Sequence, residues 1–430
     1  MRANVIHTDL NPCGGAEQLS LGTIQALIEM DYEVELTLAR PPDIARLKKA
    51  FGEKRVGKLF DQVKRINSLG RLPIGNGAGP AKASDGVRSE YDIQVNTHGD
   101  MLPYFLPNFS AKNAITYCHY PVAINLIDSQ DATYAEYLAN SGLIGREVLD
   151  HDEARGRLWQ DLRRQFLKML GSSVVITNSN FSKRAIMTHL VSGNSRPWSE
   201  PMIISPPVNI EEFRPELYSD SRSDLVLVVS RVHPSKMLEN AINAARILKQ
   251  QRIGKGMIIA GNLMDDDPVA VEYHRGILYM IRKFGLSDYV TVETNVSLTE
   301  LKSMMRKCKV YFHPLPGEPF GISIIEAMSA GLIAVVPGTG GHTEFVSKKY
   351  HFDSLAEASG IISSAFIASQ VERTKVSDSV AGFSLSQYLM DFQRVVKETL
   401  AAARMPSIEQ ALPSRSRQNH ARDDFRTQLV

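Results

Sequence analysis

Val310-Tyr-Phe-His313-Pro-Leu-Pro-Gly-Glu318-Pro-Phe-Gly321-Ile-Ser-Ile-Ile-Glu326-Ala-Met-Ser-Ala-Gly331-Leu-Ile-Ala-Val-Val336 reads as strand, turn, helix, strand. Val310–Phe312 is a short apolar run, and the following Pro/Gly cluster marks a turn. A helix is expected from about Gly321 to Ala330, and Leu332–Val336 is a second apolar strand. The same alternation runs upstream. Leu225–Val229 is a continuous apolar run, as expected of a strand buried on both faces. A helix from Leu238 to Gln250, a strand at Met257–Ala260, a helix from Val269 to Phe284, a strand at Tyr289–Val292 and a helix from Thr299 to Lys307 complete the series. Strict strand–helix alternation implies a parallel sheet with helices on both faces.

The first half opens alike, with a strand at Ala3–His7, a helix at Gly15–Met30 and a strand at Glu33–Leu38. Later strands are expected at Ile93–Thr97, Ala114–Cys118 and Ser173–Thr177. Asp131–Leu170 is polar and reads as two helices, and Asn67–Glu90, rich in Gly, Pro, Ser and Ala, reads as a surface loop. Pro206-Pro-Val208 interrupts regular structure, which places a domain boundary there. The expected organisation is a first domain over 1–207, a second over 208–385 and an amphipathic helix over 386–403 packing back on the first. The polar residues 404–430 are expected to be disordered.

Size agrees with that division, since 430 residues exceed one ordinary core. A net charge of +2 gives no reason to expect nucleic acid as partner. Cys13, Cys118 and Cys308 are odd in number and far apart, which suits reduced thiols in a cytoplasmic protein better than disulfides or a metal site. No apolar run has the length of a membrane span, and the chain enters a strand at once, so neither a transmembrane helix nor a signal peptide is expected.

The quoted stretch also carries chemistry. A helix starting near Gly321 presents the backbone N–H groups of Phe320, Gly321 and Ile322 at its N-terminus, beyond the C-terminal edge of a parallel sheet. Such a place attracts phosphate through unpaired donors and the helix dipole. A carboxylate beside it repels a diphosphate, so Glu318 is expected to meet a sugar hydroxyl. Glu326 follows eight positions on, roughly 12 Å away if all the intervening residues were helical. That spacing lets one carboxylate hold the sugar and the other the ribose, each accepting two hydroxyl hydrogen bonds. Arg231 and Lys236, in Ser230-Arg-Val-His-Pro-Ser-Lys236 after the first strand of the second domain, are two cations that can converge on one diphosphate. Gly14 and Gly15 allow close approach of backbone to ligand, but the full G-x-G-x-x-G pattern is absent and nicotinamide cofactors are not supported. Glu17 suits a helix start, and Asn178-Ser-Asn180 reads as an N-cap. Asp265-Asp-Asp267 precedes Pro268 and a helix, where acidic residues are ordinary, so no metal site is assigned to it.

Glu318-Pro-Phe-Gly-Ile-Ser-Ile-Ile-Glu326-Ala-Met-Ser-Ala-Gly331, with its Glu, seven residues, Glu spacing, resembles the signature of glycosyltransferase family 4 over about residues 1–403. The resemblance implies the α/β class and the GT-B fold, two Rossmann-like domains with parallel sheets facing across a cleft. It also implies retaining, metal-independent transfer of a hexose from a GDP- or UDP-linked donor, with no further cofactor. Arg231 and Lys236 match the residues that stabilise the leaving nucleoside diphosphate, and His119 matches the histidine on the donor sugar. Gly14 and Gly15 match the loop beside the donor phosphates or the acceptor, and Val296 and Ser297 the nucleobase-side loop. His98 is expected on the acceptor side. Cys118-His-Tyr-Pro121 and Gly340-Gly-His-Thr-Glu344 are similar to the branch that adds α-1,2-mannose to dolichol-linked oligosaccharide, which favours mannose and a glycan or lipid-linked glycan acceptor. Glu344 itself reads as the start of the next helical turn.

Two other functions fit the same fold, a nucleotide-sugar epimerase or sucrose/trehalose-type synthase, and a non-catalytic nucleotide-sugar-binding protein. Leu47–Arg65 holds Lys48, Lys49, Lys54, Arg55, Lys58, Lys64 and Arg65 among Phe51, Val56, Leu59 and Phe60. It reads either as a solvated helix face or as peripheral contact with an anionic membrane.

Overall fold

The computed structural model describes residues 1–70, 91–102, 113–192, 200–214 and 222–404. Residues 71–90 of the expected loop and the expected disordered tail from 405 onward lie outside them.

Seven strands form the first sheet: β1 (Arg2–Ile6), β2 (Glu33–Leu38), β3 (Arg65–Ser68), β4 (Ile93–Asn96), β5 (Ala114–Tyr117), β6 (Val174–Thr177) and β7 (Met202–Ile203). Their order is β3-β2-β1-β4-β5-β6-β7. The second sheet holds β8 (Ser223–Val229), β9 (Gly256–Gly261), β10 (Val290–Thr294), β11 (Cys308–Phe312), β12 (Ile333–Pro337) and β13 (His351–Phe352), in the order β10-β9-β8-β11-β12-β13. Every pairing is parallel, so the connecting segments cross over and the helices cover the sheet faces. Strand order reverses between β1 and β4 in one sheet and between β8 and β11 in the other. Open sheets leave a crevice at such a switch point, beyond the C-terminal strand ends.

Two expectations change. Asn67 and Ser68 belong to β3 rather than to a loop, because the Asn67 amide donates to the Glu35 carboxylate at 2.9 Å on the neighbouring strand, where Tyr91 also donates. Asp131–Leu170 contains three helices, Ala132–Asn140, Glu147–Asp150 and Asp152–Ser172. The first of them ends just before Gly142, whose φ of +70° departs from helical geometry.

Core membership passes from the first domain at Ile204 to the second at Val208. The last helix, Leu385–Arg404, sends Tyr388, Phe392, Val395 and Val396 into the first-domain core, and the Tyr388 hydroxyl meets Thr23 Oγ1 at 2.7 Å. The basic stretch forms helices Ile44–Phe51 and Glu53–Phe60, joined at Gly52 with φ +96°. Leu47, Phe51, Val56 and Leu59 are buried in the first-domain core, while Lys49, Lys54 and Lys58 face solvent.

Candidate functional site

The two switch points face each other. After β11 the chain turns through Gly317 at φ +72°, and Glu318 forms a parallel bridge with Gly340 beyond β12. The helix Ile322–Ser329 starts behind Gly321, whose φ of +97° a residue with a side chain rarely adopts. The backbone amides at this start, from Phe320 through the N-cap Gly321 to Ile322, have no intrahelical acceptors. The Phe320 ring itself is buried against Phe345 and Phe383, so only its backbone is offered. Since the helix begins four residues after Glu318, the all-helical spacing of the two glutamates does not apply.

The Lys236 ammonium donates to Glu318 Oε2 at 2.9 Å, and His313 Nε2 stands 3.6 Å from the same oxygen. Burial pushes the Glu318 carboxyl up, but Lys236 and His313 outweigh it and hold the group well below the usual carboxylate range. Lys236 and Glu318 therefore occupy one another, although the sequence assigns one to phosphate and the other to sugar. Glu326, on the outer part of the helix, is pushed up to about 8 by burial. Tyr311 fastens the segment underneath, meeting Ser323 Oγ at 2.8 Å.

Across the crevice stands the Gly14–Gly15 loop. A Cβ at Gly15 would lie 2.9 Å from Ile322 Cδ1, and one at Gly14 would lie 3.5 Å from Arg231 Cδ and 3.0 Å from Glu17 Oε2. The paired glycines thus let the first domain meet the helix start and the Arg231 side chain. Arg231 is exposed in the crevice mouth. Asn262 Nδ2 donates to the Cys13 carbonyl at 3.0 Å and fixes the same loop from the second domain.

The first domain contributes a polar cluster that sequence reading found only in part. His98 stacks on His7, with ring centroids 4.5 Å apart and planes 10° from parallel. His7 Nδ1 meets Thr97 Oγ1 at 3.0 Å, and its Nε2 lies 3.6 Å from Glu17 Oε1. Glu17, 4% exposed, accepts the Gly14 amide, so it does act at the helix start while also joining this cluster. Burial raises its carboxyl, yet the His7 hydrogen bond and charge and the Arg231 charge carry it below the ordinary range. Burial, then His7, push His119 down to about 4, so its ring is neutral at pH 7. Burial and the neighbouring His7 and His119 depress His98 likewise. Burial lifts Asp100 to about 7, and its Oδ1 has no hydrogen-bond partner, nor have His98 Nδ1 and His119 Nε2. His7, Asp100 and His313 were missed by the sequence reading. Their position at strand C-termini was the available signal, but a single His or Asp there carries little weight.

Other expectations shift. The Ser297 hydroxyl accepts the Glu300 amide at 3.2 Å as the N-cap of Leu298–Lys307. Val296 and Ser297 follow β10, which forms one edge of the second sheet. Glu344 does more than start a turn. Its carboxylate accepts from Asn180 N at 3.1 Å, Asn180 Nδ2 at 3.0 Å and Phe181 N at 2.8 Å, capping the first-domain helix Asn180–Ser192. Ser179 caps that helix through Ser182 N at 3.1 Å and also donates to the Pro319 carbonyl at 2.8 Å. In the acidic triplet, Asp266 pairs with Arg40 and Asp267 caps Pro268–Lys283 through Val269 N at 3.0 Å.

Residues 209–360 match the family model described as glycosyl transferases group 1. The second domain is similar to that of group 1 glycosyltransferases. A relative from Neurospora crassa, GDP-Man:Man(3)GlcNAc(2)-PP-Dol alpha-1,2-mannosyltransferase, is 26% identical over 275 residues, covering 58% of this chain and 48% of the relative. The protein of that name from Caenorhabditis elegans is 24% identical over 266 residues, covering 58% and 54%. The chain thus spans about half the length of the curated relatives it matches. The Anabaena protein HepE, solved in complex with UDP, superposes with a TM-score of 0.61 at 16% identity, covering 94% of this chain and all of that one. Sucrose-phosphate synthase from Thermosynechococcus elongatus gives 0.62 at 15% identity, with 94% and 100% coverage. These likenesses establish the fold as GT-B, and the glycosyltransferase signature of the second domain lies on its cleft-facing edge.

Proposed function

We propose that the protein transfers a hexose, mannose before others, from a nucleotide sugar to a glycan or lipid-linked glycan acceptor with retention of configuration. One observation carries the reading. Gly14 lies against the Arg231 side chain and Gly15 against Ile322 at the helix start, while Lys236 pairs with Glu318 in the turn just before that helix. Departure of the nucleoside diphosphate builds negative charge on its phosphates. Arg231, Lys236 and the helix-start amides stabilise it there, in a crevice where such donors act more strongly than in water. Glu318 orients the sugar hydroxyls and Glu326 the ribose. His119, neutral and with a free Nε2, meets the sugar from the other domain. The acceptor hydroxyl then attacks from the face the phosphate leaves, guided by the leaving group rather than by a second carboxylate.

Mannose is favoured by the names of the relatives, which are mannosyltransferases acting on a dolichol-linked glycan. No metal ion is needed for the charge stabilisation described, and transfer is expected to persist in EDTA. Glu318→Ala is expected to lower transfer by about 100-fold or more while the chain still folds and binds nucleotide, since one charged hydrogen bond is worth about 1.5–3 kcal/mol and the proposed role gives Glu318 two to the sugar. Full transfer by that variant would overturn the site. Donor incubated without acceptor is expected to stay intact, and its epimerisation would favour an epimerase instead.

A further inference from the structure

His313 lies one residue past β11, and its ring is 3% exposed. Neither ring nitrogen has a hydrogen-bond partner. An imidazole buried with both nitrogens unpaired costs stability in this state, and a partner gained in another state would recover that cost there. On one side is Glu318, 3.6 Å away and held meanwhile by Lys236. On the other is His342, with ring centroids 5.7 Å apart. His342 Nε2 bonds to the Pro337 carbonyl at 2.8 Å, so that nitrogen carries the ring proton and Nδ1 is a bare acceptor. Burial, then the His313 charge, push His342 down to about 4, which keeps it neutral near pH 7.

Lys236 faces two competing anions under the proposed function. Before the donor arrives it pairs with Glu318. A diphosphate, with two negative charges and the helix start beside it, draws the ammonium away. Glu318, whose side chain is only 13% exposed, is then an enclosed charge that has lost its cation. Stranding such a charge costs several kcal/mol by general experience, so a replacement partner within reach has a strong purpose. The groups facing His313 are Glu318 from the loop, Lys236 from the turn Pro234–Lys236, Tyr311 on its own strand and His342 from the turn Gly341–Glu344. Of these, Glu318 is the one anion. Withdrawal of Lys236 therefore makes the surroundings of His313 more negative and favours its protonated form.

We propose that His313 is a positioning residue for Glu318, taking over its ion pair and one proton from the buffer when a nucleotide sugar draws Lys236 onto its diphosphate. The proton leaves a buffer acid in bulk solvent and ends on the imidazole. No bond to carbon forms or breaks. The carboxylate is thereby held toward the sugar through the whole donor-bound state. This rests on the proposed function, because it requires a diphosphate at Lys236.

The test is calorimetric titration of the full chain with GDP-mannose and, in parallel, UDP-glucose, at pH 7.5 in HEPES and in Tris. Both ligands carry fully ionised diphosphate diesters, so their own phosphates neither gain nor lose protons at this pH. The dependence of observed heat on buffer ionisation gives the protons exchanged. Glu326 and Asp100 contribute to the total, so the difference between wild type and His313→Gln is the readout. Glutamine keeps a donor for Glu318 and cannot take the proton. We expect wild type to take up about half a proton or more in excess of what His313→Gln takes up. In His313→Gln, kcat is expected to be about tenfold lower, with donor affinity little changed. His313→Asn, which likewise cannot take the proton, is expected to show the same loss of uptake and serves if His313→Gln does not fold. Equal proton uptake by wild type and His313→Gln overturns the role of His313 alone. Failure of both sugar nucleotides to bind wild type overturns the proposed function, and this inference with it.

Discussion

Glu326 shows what burial asks of a single residue. Its ordinary value is 4.5, and burial pushes it up to about 8 without a cation nearby to oppose the shift. The unfolded chain releases this proton first as pH rises. Neutral Glu326 therefore contributes stability that is full below 4.5 and is lost as pH rises to and through 8. Glu326→Gln should melt higher than wild type at pH 8.5 by about 2–4 °C for each kcal/mol recovered, and no higher at pH 4. Scanning calorimetry at the two pH values checks this. Under the proposed function, in which Glu326 holds the ribose diol, the same variant should bind nucleotide about tenfold more weakly. Glu318 is the opposite case, since Lys236 and His313 keep it ionised. Two glutamates in one nine-residue segment thus have opposite electrostatics, decided by whether a cation stands beside each.

At the scale of the element, the two basic helices settle how membrane contact can occur. Their apolar side chains Leu47, Phe51, Val56 and Leu59 are turned into the first-domain core. What faces outward is charge, at Lys49, Lys54, Lys58, Lys64 and Arg65. Among the described residues no helix is long and apolar enough to cross a membrane. If this element meets a membrane rather than serving as a solvated face, the contact is electrostatic and without insertion. The protein should sediment with phosphatidylserine vesicles at low salt, release by about 0.5 M salt, and ignore neutral vesicles. Binding to neutral vesicles would mean that apolar surface elsewhere carries the contact.

At the scale of the molecule, the domains are tied by contacts that converge on the signature segment. Ser179 holds the Pro319 carbonyl, and Glu344 caps a helix of the other domain. Arg46 adds a bond to the Leu263 carbonyl at 2.9 Å. Glu344→Ala removes an N-cap as well as a domain contact. It should cost about 0.5–2 kcal/mol, the usual worth of a cap, and raise the donor KM more than it lowers the melting temperature. X-ray scattering should report a larger radius of gyration for Glu344→Ala, returning toward wild type when GDP-mannose is added. Unchanged scattering and KM would show that the cap serves the helix alone.

Much of this protein was legible in its sequence. Apolar strand runs alternating with helical stretches determined two parallel α/β units, because parallel strands buried on both faces leave little choice of residue. The signature segment showed where a helix start meets the end of a strand, since the Pro/Gly turn before Gly321 is a local signal. Short edge strands such as β3 and β13 escaped, their pairing being set by neighbours distant in sequence. Tertiary structure alone decided which charges share a neighbour. It placed Lys236 on Glu318, left His313 idle beside them, joined His7 and Asp100 to the histidines of the first domain, and carried Glu344 across to Asn180. Sequence spacing fixes periodicity along one element, whereas the field at a carboxylate depends on what two domains bring within a few ångströms of it.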